Sequence, residues 1–125
     1  MTIKECIDRV DSRKPNQYSL EDKVEWLSFL DRIIIVEVLK KHEGYDNAYD
    51  LFEGYSANDV GKKLIVDAPY DSIYEAFIKM KIDEENGETA RYNNSVRTFN
   101  SYMDQFKKYW NRTHMPLGVK CFKTM

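Results

Sequence analysis

Tyr92, Val96, Phe99, Met103, Phe106 and Trp110 follow one another at spacings of four, three, four, three and four residues. At 3.6 residues per turn, that spacing lines up all six side chains along one stripe of a single helix, as in a seam packed against a neighbour. The helix is expected from about Glu88 to Arg112, with Pro116 and Gly118 ending it. The seam implies a packed helix. It carries no chemistry, so partners and purpose have to be read from the rest of the chain.

Three further helices are expected. Thr2 followed by Glu5 makes a capping box, and Ile3, Cys6, Ile7 and Val10 then give a short apolar face. Asp11 to Tyr18, with Pro15 and Asn16, breaks the pattern and reads as a loop. Ser19 caps a second helix running to about His42, with Val24, Leu27, Leu30, Ile34 and Val38 turned inward. Ile33 to Val36 is β-branched but lies within this longer helical period, which favours helix over strand. The apolar face of this helix is broad enough to predict contact on more than one side. Asp67-Ala68-Pro69 opens a third helix, with Pro69 near its first position. Ile73, Phe77 and Met80 face inward alongside Tyr70 and Tyr74. This helix ends at Asp83-Glu84-Glu85-Asn86-Gly87, and acids at a helix C-terminus predict a basic partner close by.

Residues 45–67 have no sustained period and read as an extended loop, a length that often marks a functional segment. Within it, Leu64-Ile65-Val66 is expected to pair as a short strand with Val119-Lys120-Cys121-Phe122. Residues 113–125 form a C-terminal tail. The expected fold is mainly α: a single domain over residues 1–125, a small bundle of about four helices with a long loop and a short two-stranded β element.

At 125 residues the chain suits one domain, and 42% apolar with 32% charged residues suits a folded, soluble one. Nine Tyr, six Phe and two Trp are a heavy aromatic share. They fit either a half-wet helical core or a contact surface. No apolar run reaches the ~18 residues needed to span a membrane. The N-terminus lacks the basic-then-apolar layout of a signal peptide. Cys6 and Cys121, without neighbouring histidines, make neither a zinc site nor a disulfide scaffold, so a reducing cytoplasm is expected. The net charge of −2 hides a polarity: seven of the 19 basic residues but only Asp104 among the 21 acids fall from Arg91 onward. Such a basic end attracts nucleic acid or docks on an acidic body, unless the charges are simply a dispersed, solvated surface.

Catalytic and metal signatures are missing from the sequence. His42 and His114 have no Cys, Asp or Glu at ligand spacing and sit in no nucleophile arrangement, which leaves them structural or solvent roles. Asp83-Glu84-Glu85 lacks the alternating ligands of a calcium loop, and the glycines are isolated. No enzyme activity, metal or cofactor is expected. Asparagines are the less ordinary feature. Asn93, Asn94, Asn100 and Asn111 lie in or beside the seam helix, where their side chains compete with backbone hydrogen bonds. Asn93 and Asn100, seven apart, share a face, so their amides either bond a neighbouring helix or subunit or face water.

These residues also carry a resemblance. The series Val66-Asp67-Ala68-Pro69-Tyr70-Asp71, Asn86-Gly87-Glu88, Arg91-Tyr92-Asn93-Asn94-Ser95, Phe99-Asn100 and Tyr109-Trp110-Asn111-Arg112-Thr113-His114-Met115-Pro116 resembles a family of small phage and prophage proteins of Gram-positive bacteria. Thr2-Ile3-Lys4-Glu5 and Lys14-Pro15-Asn16-Gln17-Tyr18-Ser19 are similar to it as well, so the likeness runs nearly the full length. Members look like head–tail connector (adaptor) proteins, helical subunits of a ring beneath the portal of a tailed phage. Asp67 and Lys79-Met80-Lys81 depart from the pattern, which has more apolar residues there.

The resemblance implies a structural virion protein at the head–tail junction, present in the host cytoplasm during assembly. Its partners would be further copies of itself, the portal and a stopper or tail-completion protein, with no active site and no membrane. On that view Tyr49, Phe52, Tyr55, Asn93 and Asn100 are candidates for subunit or portal contacts. The aromatic 45–66 segment would reach to a neighbour and order there. Lys107, Lys108 and Arg112 would meet DNA in the channel, without sequence preference, or an acidic partner. The alternative is a small helical nucleic-acid-binding or regulatory protein using the basic final third, although no helix-turn-helix spacing supports it.

Overall fold

The computed structural model describes residues 1–114 apart from Glu43 and Asp46. Four long helices, α1 (Ile3–Arg13), α2 (Leu20–Glu37), α4 (Ser72–Glu85) and α5 (Thr89–Thr113), form a bundle, with a single-turn helix α3 (Ala48–Leu51) on its flank. Short 3-10 turns follow α2 at Leu39–Lys41 and precede α4 at Ala57–Asp59. No helix among the described residues is long and apolar enough to cross a membrane.

The helix starts obey local rules. The Thr2 hydroxyl accepts from the Glu5 N–H at 3.2 Å, while the Glu5 carboxylate accepts from the Thr2 N–H, closing the expected capping box. Ser19 caps α2 through the Asp22 N–H at 3.1 Å. Two boundaries differ from expectation. The last turn of the second helix tightens into the 3-10 turn instead of running α-helical to His42. The third begins at Ser72, because Pro69 lies in a turn closed by the Tyr70 N–H on the Asp67 carbonyl at 3.0 Å.

Long helices that follow one another in the chain run in opposite directions. The Lys23 ammonium, nearly buried, reaches Asp11 at 2.7 Å and ties the start of α2 to the end of α1. Tyr18, just before α2, donates to Asn86, just after α4, at 2.5 Å. Tyr70 stacks on Tyr109 with ring centroids 4.5 Å apart, while Ser95 at the other end of α5 meets Asp83. So α2 and α5 run the same way and flank an antiparallel α4, which packs against α1 as well.

α4 is apolar around most of its circumference, with Ile73, Tyr74, Ala76, Phe77, Ile78 and Ile82 all buried, as a helix covered on most sides should be. The acids at its C-terminal end do have a basic partner. Asp83, 1% exposed, receives the Lys14 ammonium at 2.6 Å and the Ser95 hydroxyl at 2.6 Å, locking α1, α4 and α5 together.

The expected 45–67 loop is irregular but folded onto the bundle. Leu64 and Val66 are buried, and Val60 and Ile65 pack on the core. A neighbour is therefore not needed to order this segment, contrary to expectation, because its own apolar side chains already have a core to cover. Leu64 to Val66 is not a strand. The backbone there pairs with the N-terminus, through an antiparallel bridge from Thr2 to Lys63 and the Leu64 N–H on the Met1 carbonyl at 3.0 Å. The proposed strand partner, residues 119–122, lies outside the described residues, as does the tail beyond His114.

Candidate functional site

Three features of the surface and interior stand out from the packing just described: a buried carboxylate, a helix left open on one side, and a basic cleft.

Asp31 lies on the inward line of α2 and is fully buried. It accepts hydrogen bonds from the hydroxyls of Tyr55 and Tyr74, the latter at 2.6 Å, and from the Ile65 N–H at 3.3 Å. Tyr74 in turn accepts from the Val66 N–H at 2.7 Å. One carboxylate thus pins the irregular 55–66 segment to α2 and α4. Burial pushes its pKa up to about 6 in spite of the opposing hydrogen bonds. Both tyrosine hydroxyls are pushed well above their usual range, chiefly by burial and then by the adjacent carboxylate. The sequence reading missed this site. Its one visible sign was an acid on the 27–31–34–38 helical line of otherwise apolar residues.

α2 has a second apolar line. Trp26, Phe29, Ile33 and Val36 recur at three, four and three, on the side away from Val24, Leu27, Ile34 and Val38. Phe29 is 53% exposed and Val36 40%. Tyr18 partly covers Trp26, and the Lys81 ammonium sits over the Phe29 ring at 6.0 Å. The predicted breadth of this helix is real, yet within one copy its second face is only partly packed: Trp26 and Ile33 are half-buried and Phe29 stacks on Phe77, while much of Phe29 and Val36 stays open.

The segment after α2 folds back along that helix. The Arg32 guanidinium lies over Phe52, the Phe52 and Tyr55 rings meet edge to face, and the Lys40 ammonium lies over Tyr49. Gly54, at φ +84°, allows a very close approach: a Cβ there would come within 2.9 Å of Arg32 and 3.0 Å of Ser28. Leu51 at the tip of α3 is 71% exposed.

Where α2 ends beside α5 there is an open cleft of about 780 Å³, with Val36 and Val38 as its apolar part and Lys40, Lys41 and Lys107 around it. Among the described residues Glu37 is the one acid lining it, 3.8 Å from Lys41. The buried His42 imidazole bridges the Val38 carbonyl through Nδ1 at 2.6 Å and the Asn111 side chain through Nε2 at 2.8 Å. His114 stacks on Trp110 with centroids 3.5 Å apart, and Tyr45 meets both rings. His42 is therefore structural: it clamps the end of α2 to the end of α5. Asn111→Ala should leave its ring half-bonded and cost about 1–2 kcal/mol in urea unfolding, with the helical spectrum unchanged.

The predicted site residues divide into groups. Tyr49, Phe52 and Tyr55 come together along α2, with Tyr49 40% exposed and the other two half-buried. Lys107 joins Lys40 and Lys41 at the cleft, Lys108 pairs with Asp104 at 3.0 Å, and Arg112 is exposed. Asn93 and Asn100 are exposed on α5 and line neither the cleft nor α3. No group of three or more His, Cys, Asp or Glu residues among the described residues is arranged to hold a metal ion. No family model, curated protein or solved structure matches this chain.

Proposed function

We propose that this chain is a head–tail connector subunit of a tailed phage or prophage, which assembles into a ring and joins the portal to a stopper or tail-completion protein. The carrying observation is the contrast between two equally apolar helices. α4 is covered on most of its sides, whereas α2 leaves Phe29 and Val36, two turns apart on one line, more than a third exposed. Apolar surface left open in such a line is the mark of a protein that completes its packing with another chain. Leu51 adds a second open apolar point on a different element, and a ring subunit needs two unlike surfaces. The strings that carry the family resemblance bear on the fold as well as the function: Ser95 and Asn111 anchor α5 at its two ends, while Asn93, Asn94 and Asn100 stay exposed.

The test is negative-stain microscopy of the purified protein with its portal, in which a ring on the portal is expected. Absence of any ring or portal complex across conditions, for a protein found in purified virions, would sink the reading. A second reading, sequence-independent binding of nucleic acid, is favoured by the meeting of Lys40, Lys41 and Lys107 at one cleft. It predicts duplex binding by the isolated protein that weakens steeply with salt.

A further inference from the structure

We infer that the basic cleft at the end of α2 receives the acidic, leucine-tipped α3 turn of a second copy of this chain. The inference rests on the reading that the chain is a self-assembling subunit, and it names the surfaces through which copies meet. The two surfaces complement one another in shape and in charge. The cleft is concave, with Val36 and Val38 at its apolar part and Lys40, Lys41 and Lys107 around it against one carboxylate, Glu37, among the described residues. The turn bears Leu51, at 71% the most open large apolar side chain among the described residues, between the exposed Asp50 and Glu53.

An apolar anchor entering a pocket while opposite charges meet at the rim is the usual anatomy of a specific protein contact. Within one copy Arg32 lies over Phe52 and Lys40 over Tyr49, while Asp50 and Glu53 are exposed. Nucleic acid fits the cleft less well, because the apolar lining and Glu37 both oppose a phosphate backbone there.

The experiment is sedimentation of the full chain from micromolar to about millimolar concentration, with charge-reversal variants in exposed side chains. Wild type is expected to self-associate. Leu51→Arg, the pair Asp50→Lys with Glu53→Lys, and the pair Lys41→Glu with Lys107→Glu should each weaken association at least tenfold, with circular dichroism unchanged. Mixing the two charge-reversed pairs does not simply average them. One keeps an intact cleft and the other an intact turn, so the mixture should associate where neither does alone.

A wild type that stays monomeric throughout overturns the inference, as does association that all three variants leave intact. Association that survives both turn variants but is lost in the cleft pair and on truncation after His114 assigns the cleft to the chain's own last residues and also overturns it. Each of these results leaves the connector reading standing or falling on the portal experiment alone.

Discussion

Asp31→Ala is expected to cost about 3–5 kcal/mol, because it strips the acceptor from a fully buried tyrosine hydroxyl and from the Ile65 N–H at once. The sharper test is the dependence on pH. The folded-state pKa of Asp31 is raised to about 6 from its ordinary 3.8, so between those values the native protein holds a proton that the unfolded chain has released. Stability contributed by this group is therefore highest below pH ~4, falls as the pH rises to ~6 and is level beyond. A shift of about two units corresponds to roughly 3 kcal/mol across that window. Asp31→Asn removes the titration. Subtracting its urea-derived stability from that of wild type, pH by pH, should isolate a downward slope between pH ~4 and ~6. A flat difference would show that Asp31 has an ordinary pKa.

Phe106→Ala is expected to destabilise the protein by about 3–5 kcal/mol, whereas Phe99→Ala should cost well under half of that. Both lie on the seam of α5, but Phe106 is 2% exposed and packs against Tyr70 and Trp110, while Phe99 is half-buried on Phe77. Only Met103 and Phe106 of the six seam residues are buried. Chemical denaturation of the two variants measures the difference directly. Equal losses would mean that the seam is uniformly covered, in a second copy if not in one.

Periodicity made the helices legible. The capping box at Thr2, the Ser19 cap and the seam each express a local rule that neighbours in sequence can satisfy. The acidic end of α4 even announced its partner, since a helix terminus disfavours those charges on its own; Lys14 answers it from the end of the adjoining α1. The 45–67 segment was not legible, because its order comes from long-range contacts: Tyr55 on Asp31 is 24 residues distant and Ile3 on the Lys62 carbonyl further still. No local period records such pairings. The start of α4 was placed a few residues early for a related reason: Pro69 suits a first helical turn and a tight turn equally, and only the surrounding contacts decide. Among the candidate contact residues, aromatic content picked out the segment that packs along α2. It did not separate Tyr55, which holds the segment in place, from Leu51, which the segment presents.

The fit of Gly54 against Ser28 and Arg32 has a thermodynamic consequence for any partner. The short turn bearing Leu51 is held on one side by that contact and by Tyr55, so its geometry is set before an encounter begins. A preorganised surface spares an incoming chain the entropy of ordering a loop, and more of the contact energy survives as affinity. Calorimetry of association should then give a heat-capacity change proportional to the apolar contact area alone, with no added contribution from coupled folding. Replacing Gly54 by a residue bearing a side chain would loosen that anchorage and turn a rigid-body encounter into one that must fold as it binds.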